Sequence, residues 1–183
     1  MTNLVGIAGS LRTGSFNRAL LGAAAEVVPD GTRLTILSID DVPLYNGDVE
    51  RDRGIPRAVQ ALKNSIRNAD GLVIATPEYN ASIPGVLKNA IDWISRPSAD
   101  IPEVLYGKPV ALLGASPGRL GTVLSQAAWL PVLRTLRMRL WMAEGPFYVM
   151  GAGDLFDESG LKDDATRERL RKYIAAFAAH AAD

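Results

Sequence analysis

Hydroxyl, amide and guanidinium side chains are concentrated in residues 9–17, which read Gly-Ser-Leu-Arg-Thr-Gly-Ser-Phe-Asn. This segment follows a short apolar run and leads into a stretch of helical periodicity. We therefore predict that its backbone N–H groups and the positive end of the helix dipole face one small volume. A phosphate monoester suits such a site because its oxygens accept several charge-assisted hydrogen bonds at once. The alternative is that Ser15 or Asn17 only caps the helix while the glycines form the turn.

Two known phosphate-binding motifs are absent from this segment, which limits the class of ligand it could bind. It has neither the Gly-Lys-Ser/Thr ending of a nucleoside-triphosphate loop nor the G-x-G-x-x-G spacing of a dinucleotide-binding turn. The segment therefore favours the phosphate of a mononucleotide.

Two further segments carry glycine, polar or aromatic residues directly after apolar runs. Residues 76–85 read Thr-Pro-Glu-Tyr-Asn-Ala-Ser-Ile-Pro-Gly, and residues 114–121 read Gly-Ala-Ser-Pro-Gly-Arg-Leu-Gly. The first could present N–H groups and an aromatic wall to a planar heterocycle, or it could be a rigid connection in which Tyr79 covers the edge of the core. The glycines of the second could admit another molecule close to the backbone, or they could only shape the turn.

The elements that must position these segments alternate along the chain. Apolar runs predict strands at residues 4–8, 34–39, 71–76, 110–114 and 139–143. Helical periodicity predicts helices at residues 17–28, 56–68, 86–94, 122–137 and 165–179. In the helix at 86–94, the apolar residues Val86, Leu87, Ala90, Ile91 and Ile94 are expected to share one face.

This alternation is typical of a doubly wound α/β domain with a parallel sheet. Ligands of such sheets lie beyond the carboxyl ends of the strands, near the point where the strand order reverses. We therefore expect the segments after the first, third and fourth strands to converge on one site. Trp93, Trp129 and Trp141 fall in or beside apolar elements and are expected to serve packing.

Composition limits the class of protein. The 183 residues, 48% of them apolar, predict a single domain over residues 1–183. Lys and Arg number 20, as do Asp and Glu, so we expect neither nucleic acid nor an anionic membrane surface as a partner. The absence of cysteine excludes thiolate metal sites, and no other metal site is predicted, so redox chemistry would need a bound cofactor.

The chain shows no sign of a membrane or secretory location. No segment approaches the roughly 18 consecutive apolar residues of a membrane span, and no cleavable leader is recognisable. We therefore expect the protein to be cytoplasmic.

Three motifs resemble those of the NADPH-dependent FMN reductase family. They read GSLRxxSxN at residues 9–17, PEYNxSxPGxLKNAIDW at residues 77–93 and GASxGxxG at residues 114–121. The resemblance extends over essentially the whole chain, and the bacterial enzymes that reduce quinones and chromate are the most similar branch. It implies a flavodoxin-like fold, with a five-stranded parallel sheet in a single three-layer domain.

The resemblance also implies how FMN would be held. Residues 10–17 would bind the FMN phosphate, residues 77–80 would line the isoalloxazine ring, and Ser116 with its neighbours would close the other side of the pocket. The implied cofactor-binding residues are Ser10, Leu11, Arg12, Ser15, Phe16, Asn17, Pro77, Glu78, Tyr79, Asn80, Ser116 and Gly118. Some family members carry a second tyrosine where this chain has Ala81, which puts in doubt any acceptor contact or inter-subunit hydrogen bond of such a tyrosine.

The activity implied by the resemblance is that of an NAD(P)H-dependent FMN oxidoreductase. NADPH or NADH would deliver hydride to FMN, and a small oxidised acceptor such as a quinone, free flavin or chromate would then take the electrons. Because the flavin carries this chemistry, no catalytic side chain is expected, and His180, the single histidine, is given no catalytic role. A homodimer or homotetramer with flavin sites near the interface is also implied.

The alternative is a flavodoxin-type electron carrier that binds FMN without nicotinamide activity. Such carriers usually hold the ring between aromatic side chains and are strongly acidic. This chain is neutral, and Tyr79 is its only obvious ring-side aromatic residue. These differences favour the reductase.

Overall fold

The computed structural model describes all residues from Met1 to Asp183. Its strands are β1 (Thr2–Ala8), β2 (Thr32–Leu37), β3 (Gly71–Ala75), β4 (Pro109–Ala115), β5 (Arg139–Leu140), β6 (Phe147–Val149), β7 (Phe156–Asp157) and β8 (Gly160–Leu161). Its helices are α1 (Phe16–Glu26), α2 (Gly47–Arg53), α3 (Arg57–Arg67), α4 (Gly85–Ile94), α5 (Ile101–Val104), α6 (Val123–Thr135), α7 (Ala152–Leu155) and α8 (Asp164–Ala182), with a 3-10 turn at Ser98–Asp100. None of the helices is both long enough and apolar enough to cross a membrane.

The main sheet is parallel and has the strand order β2-β1-β3-β4-β5, with β6 also paired to β4. This is the flavodoxin-like order, and it confirms the predicted doubly wound sheet with its five positions. Strand β2 lies on one side of β1 in the sheet, and β3 lies on the other side. The carboxyl ends of β1 and β3 therefore form the point where a ligand is expected.

Two apolar cores cover the two faces of the sheet, which confirms the three predicted layers. Helices α1 and α8 pack on one face, for example through Leu21 and Phe177. Helices α3, α4 and α6 pack on the other face, where Trp129 is completely buried. Adjacent residues of β1 point into different cores, Leu4 into the first and Val5 into the second, as the two-residue repeat of a strand requires.

The sequence predicts one strand, at residues 139–143, for the fifth position of the sheet, but the structure has two short strands there. Strand β5 ends at Leu140 and pairs only with the first residues of β4. A turn then carries the chain away from the sheet, closed by a hydrogen bond from Gly145 N to the oxygen of Met142 at 2.9 Å. The chain returns as β6, which pairs with the last residues of β4. The edge position is thus filled by two short strands.

Several short elements lie where the sequence predicted none. These are α2, α5, α7 and the antiparallel pair β7 and β8. Helix α2 buries no residue, so it has no apolar periodicity to reveal it.

The buried face of α4 also differs in one position. Val86, expected on this face, is 37% exposed, whereas Trp93 is fully buried on it. The burial of Trp93, Trp129 and Trp141 confirms that all three tryptophans serve packing.

Candidate cofactor-binding site

A cleft of about 300 Å³ opens at the carboxyl ends of β1, β3 and β4. Its walls are the connections that follow these strands, and its volume is at the lower end of the roughly 300–1,000 Å³ of small-molecule sites. The lining residues are Ser10, Arg12, Ser15, Phe16, Asn17, Pro77, Glu78, Tyr79, Ala115, Ser116 and Pro117. The structure thus brings most of the residues singled out by the motifs around one cavity.

Glycines at the strand ends let the walls approach one another. A Cβ atom at Gly9 would lie 2.7 Å from Leu87 Cδ2 and 2.9 Å from Pro77 Cδ. A Cβ atom at Gly114 would lie 2.0 Å from Thr122 Oγ1. Any side chain at either position would push the connections apart and change the shape of the cleft.

The first connection supplies hydrogen-bond donors at the start of α1. Ser15 Oγ accepts from Arg18 N at 3.3 Å, so Ser15 caps the helix while its hydroxyl hydrogen stays available. Ser10 and Ser15 are each 5% exposed. Arg12 forms no ion pair, and its Cζ atom lies 5.5 Å from the centre of the Phe16 ring. An unpaired guanidinium beside a helix N-terminus favours an anionic ligand.

Asn17 links the first connection to the third. Its Nδ2 donates to the oxygen of Ala115 at 2.8 Å, and its Oδ1 accepts from the nitrogen of Ala115 at 2.9 Å. The side chain is buried, and these two bonds leave one Nδ2 hydrogen for any ligand. The position of α1 against β4 is therefore set by this amide.

The second connection contains a tight turn. Tyr79 and Ser82 exchange backbone hydrogen bonds at 3.2 and 3.1 Å, and the two residues between them, Asn80 and Ala81, have φ values of 50° and 59°. Asn80 is exposed and does not line the cleft. Ala81, at a φ rarely adopted by non-glycine residues, is held there by the turn.

Tyr79 joins the second connection to the first. Its side chain is 47% exposed, and its hydroxyl donates to Ser10 Oγ at 3.2 Å. The interpretation that Tyr79 covers the edge of the core is therefore not supported. The exposed ring of Tyr79 and the buried ring of Pro77 instead line the cleft together, as a flat wall beside the donors of the first connection.

Glu78 lines the cleft, but its carboxylate bonds to the start of α6. Its Oε2 accepts from Leu124 N at 2.9 Å and from Ser125 N at 3.2 Å. The charge of the carboxylate is thus directed at a helix N-terminus rather than at the ligand volume.

The third connection is held by strand β6 and helix α7. Ser116 N donates to the oxygen of Val149 at 3.0 Å, and Ala152 N donates to the oxygen of Ser116 at 3.0 Å. Ser116 Oγ also accepts from Gly118 N at 3.1 Å. Gly118 itself lies outside the lining, as does Leu11, which is 43% exposed.

Two lining residues were included by the sequence analysis only as unnamed neighbours of Ser116. Ala115 and Pro117 contribute an apolar methyl group and a ring to the cleft. Neither carries a functional group that could have marked it as a ligand contact. Their only signal is adjacency to Ser116.

The donor set fits a phosphate ester of a planar heterocycle. Two buried serine hydroxyls, an unpaired guanidinium and the first turn of α1 provide positive charge and hydrogen-bond donors, and the one lining carboxylate has its partners elsewhere. No cluster of His, Cys, Asp or Glu side chains could hold a metal ion. His180 is near the end of α8. Its neighbour Ala181 lies beside Gly71, at the amino end of β3. His180 is therefore at the end of the strands opposite to the cleft.

Comparison with known proteins identifies relatives over the whole chain. Residues 2–152 match the sequence model of the NADPH-dependent FMN reductase family. An NAD(P)H-dependent FMN reductase of Pseudomonas aeruginosa is 44% identical, with 95% of this chain and 92% of the relative aligned. A quinone reductase of Pseudomonas putida is 40% identical over 94% of this chain and 90% of the relative. The flavoenzyme NAD(P)H:(acceptor) oxidoreductase FerB of Paracoccus denitrificans superposes with a TM-score of 0.86 at 31% identity, covering 100% of this chain and 98% of that chain.

Proposed function

The chain belongs to the NADPH-dependent FMN reductase family, and we propose that it is an FMN-dependent oxidoreductase that uses NADPH or NADH to reduce quinones. The observation that carries this proposal is the donor-lined cleft at the point where the strand order reverses, next to a flat wall of Tyr79 and Pro77. Quinone reductases and FMN reductases are among the relatives of similar length.

The side chains of the cleft would bind and orient the cofactor. Ser10, Arg12 and Ser15, with the N–H groups of the first turn of α1, would hold the phosphate of FMN. Pro77 and Tyr79 would fix the plane of the heterocycle, and Ser116 with Pro117 would limit it from the other side. FMN supplies the hydride chemistry when it is bound, so the protein contributes position and electrostatics.

The reductase and the electron carrier are distinguished by the electron donor. Purified protein loaded with FMN should lose its flavin absorbance on anaerobic addition of NADPH or NADH, and a quinone should restore it. Reduction by dithionite but by neither nicotinamide would support the carrier and refute the reductase.

The phosphate assignment is tested by Arg12→Ala. Losing a charge-assisted hydrogen bond, worth about 1.5–3 kcal/mol, should weaken FMN binding tenfold or more in a fluorescence titration. Arg33→Ala is the matched control, because Arg33 is also exposed but lies on β2, away from the cleft. Equal affinities for both variants would show that the phosphate binds elsewhere.

The proposal extends to electron acceptors other than quinones. We propose that chromate and free flavin are reduced as well, because an FMN reductase is among the relatives and the side chain of Tyr79 at the cleft is exposed. Steady-state rates with quinones, chromate and free FMN, each with NADPH and NADH, would rank the acceptors and the donors. We also place the enzyme in the cytoplasm, where both nicotinamides are available.

A homodimer or homotetramer is proposed from the apolar surface. Helix α6 exposes Leu124 and Leu130, and Met142 follows β5 with 53% of its surface accessible. Leu130 and Met142 line one depression together with Leu140 and Trp141. Exposed apolar surface of this kind marks association sites. Light scattering on the eluting protein should give a multiple of 19.6 kDa, and a monomer at all concentrations would refute the proposal.

A further inference from the structure

Glu78 lines the cleft, but its carboxylate completes a different element. Helix α6 begins at Val123, and the preceding residue, Thr122, makes no side-chain bond to the free N–H groups of the first turn. Thr122 Oγ1 instead accepts from Gln126 Nε2 at 3.1 Å. Leu124 N and Ser125 N are bound by Glu78 Oε2, from a residue 46 and 47 positions earlier in the chain. Glu78 therefore caps α6 from another connection.

A buried polar contact lies directly beside this cap. The hydroxyls of Thr76 and Ser125 are 2.8 Å apart and share a hydrogen bond, and Trp129 Nε1 donates to Thr76 Oγ1 at 3.1 Å. All three residues are fully buried. The start of the second connection is thus fixed to α6 before the chain reaches Glu78, and the carboxylate extends this attachment to the cleft.

The residue after Glu78 connects the second connection to the first across the cleft. Tyr79 follows Glu78 and donates to Ser10, which belongs to the predicted phosphate-binding segment. A displacement of Glu78 would move Tyr79 and alter this contact. Glu78 thus bonds to α6, and the residue that follows it in the chain bonds to the phosphate-binding segment.

We propose that Glu78 is a positioning residue that sets the flat wall of the FMN site by capping α6. This inference rests on the proposed function, since it concerns the site in which FMN would bind. The negative charge of Glu78 is balanced by the N-terminus of α6, so the residue shapes the cleft without placing a carboxylate against an anionic ligand.

Two substitutions at this position separate positioning from direct contact. Glu78→Gln keeps an oxygen that can accept from Leu124 N and Ser125 N, whereas Glu78→Ala removes the cap. We expect Glu78→Ala to weaken FMN binding at least tenfold and Glu78→Gln to restore affinity to within about threefold of the wild type. If Glu78 acted on the flavin through its charge, both variants would lose affinity equally and would shift the flavin reduction potential by the same amount.

Asp163→Ala provides a matched control for the loss of a helix cap. Asp163 Oδ2 accepts from Thr166 N at 2.7 Å at the start of α8, away from the cleft. We expect this variant to lower the melting temperature as Glu78→Ala does, while its FMN affinity stays at the wild-type value. If Glu78→Ala lowers only the melting temperature and binds FMN normally, the cap has no part in the site and the inference is wrong.

The same FMN titrations give different results if the proposed function is wrong and if only the role of Glu78 is wrong. A wild-type protein that binds no FMN would overturn the proposed function itself. A wild type that binds FMN, with Glu78→Ala binding it equally well, would overturn only the role of Glu78. Because the readout is binding, neither result depends on which acceptor is used.

Discussion

Replacing Asn17 by aspartate should destabilise the fold strongly and in a pH-dependent way. Asn17 is 3% exposed, and its Nδ2 donates to the oxygen of Ala115 at 2.8 Å. In Asn17→Asp a carboxylate oxygen would face that carbonyl oxygen, leaving a buried acceptor without a donor at a cost of about 1–3 kcal/mol. Burial of the new charge adds to this, so we expect the free energy of unfolding to fall by about 3 kcal/mol at neutral pH.

The sign of the pH dependence follows from the same geometry. Burial and the facing carbonyl favour the protonated form of the introduced carboxyl more strongly than the Ala115 N–H and the N-terminus of α1 favour the charged form. Its pKa in the folded state therefore lies above the unfolded value of about 3.9. Such a group stabilises the fold most below the unfolded pKa, and this contribution is lost as the pH rises through the folded pKa. The protonated acid can also donate to the oxygen of Ala115. The deficit relative to the wild type should therefore shrink as the pH falls.

The assay is urea unfolding of FMN-free protein, followed by circular dichroism at about pH 7.5 and about pH 4.5. Removing FMN keeps repulsion between its phosphate and the new charge out of the result. Asn89→Asp is the control, because Asn89 pairs in the same way with the oxygen of Pro43 at 2.9 Å and with Tyr45 N at 2.8 Å, but is only half-buried, with its bonds open to solvent. It should cost less than about 1 kcal/mol. Equal losses in both variants, or a deficit for Asn17→Asp that does not change with pH, would refute the reasoning.

Three further substitutions should change stability in known directions, measured by the same unfolding assay. Tyr173→Phe removes the hydroxyl that donates to the oxygen of Leu112 at 2.8 Å inside the core, which should cost about 1–2 kcal/mol. Gly114→Ala would place a methyl group 2.0 Å from Thr122 Oγ1, so a loss of about 2 kcal/mol or more, or loss of soluble protein, is expected. Gly22→Ala meets no atom within 4 Å in the middle of α1 and should stabilise by about 0.5–1 kcal/mol. A destabilised Gly22→Ala or an unaffected Gly114→Ala would contradict the packing described at these glycines.

The elements that the sequence predicts well are those with a strong local pattern. Strands β3 and β4 are buried along their whole length, so their apolar runs are continuous and easily recognised. The location of the cleft could be predicted because the carboxyl ends of parallel strands all lie at the same end of the sheet. Strand β6 has only three residues and α2 buries none, so neither produces a periodic signal.

The roles of particular site residues depend on partners far away in the chain. Asn17 pairs with a residue 98 positions later, and Glu78 with residues 46 and 47 positions later. Local spacing identifies both as polar residues in a candidate loop and cannot distinguish a ligand contact from a structural bond. Asn80 shows the same limit, since it lies in a tight turn with a φ of 50° and does not line the cleft, and its side-chain type does not reveal this.

The division of the sheet edge into β5 and β6 has a consequence for the behaviour of the protein at high concentration. An unpaired edge of a long strand can template the addition of strands from other molecules, which leads to aggregation. Here β4 is covered by β5 at one end and by β6 at the other, and in the gap between them the Tyr173 hydroxyl already occupies the oxygen of Leu112. At this edge the outermost strands are two and three residues long, so a foreign strand would find no continuous row of backbone groups to pair with there. The opposite edge of the sheet is the six-residue strand β2.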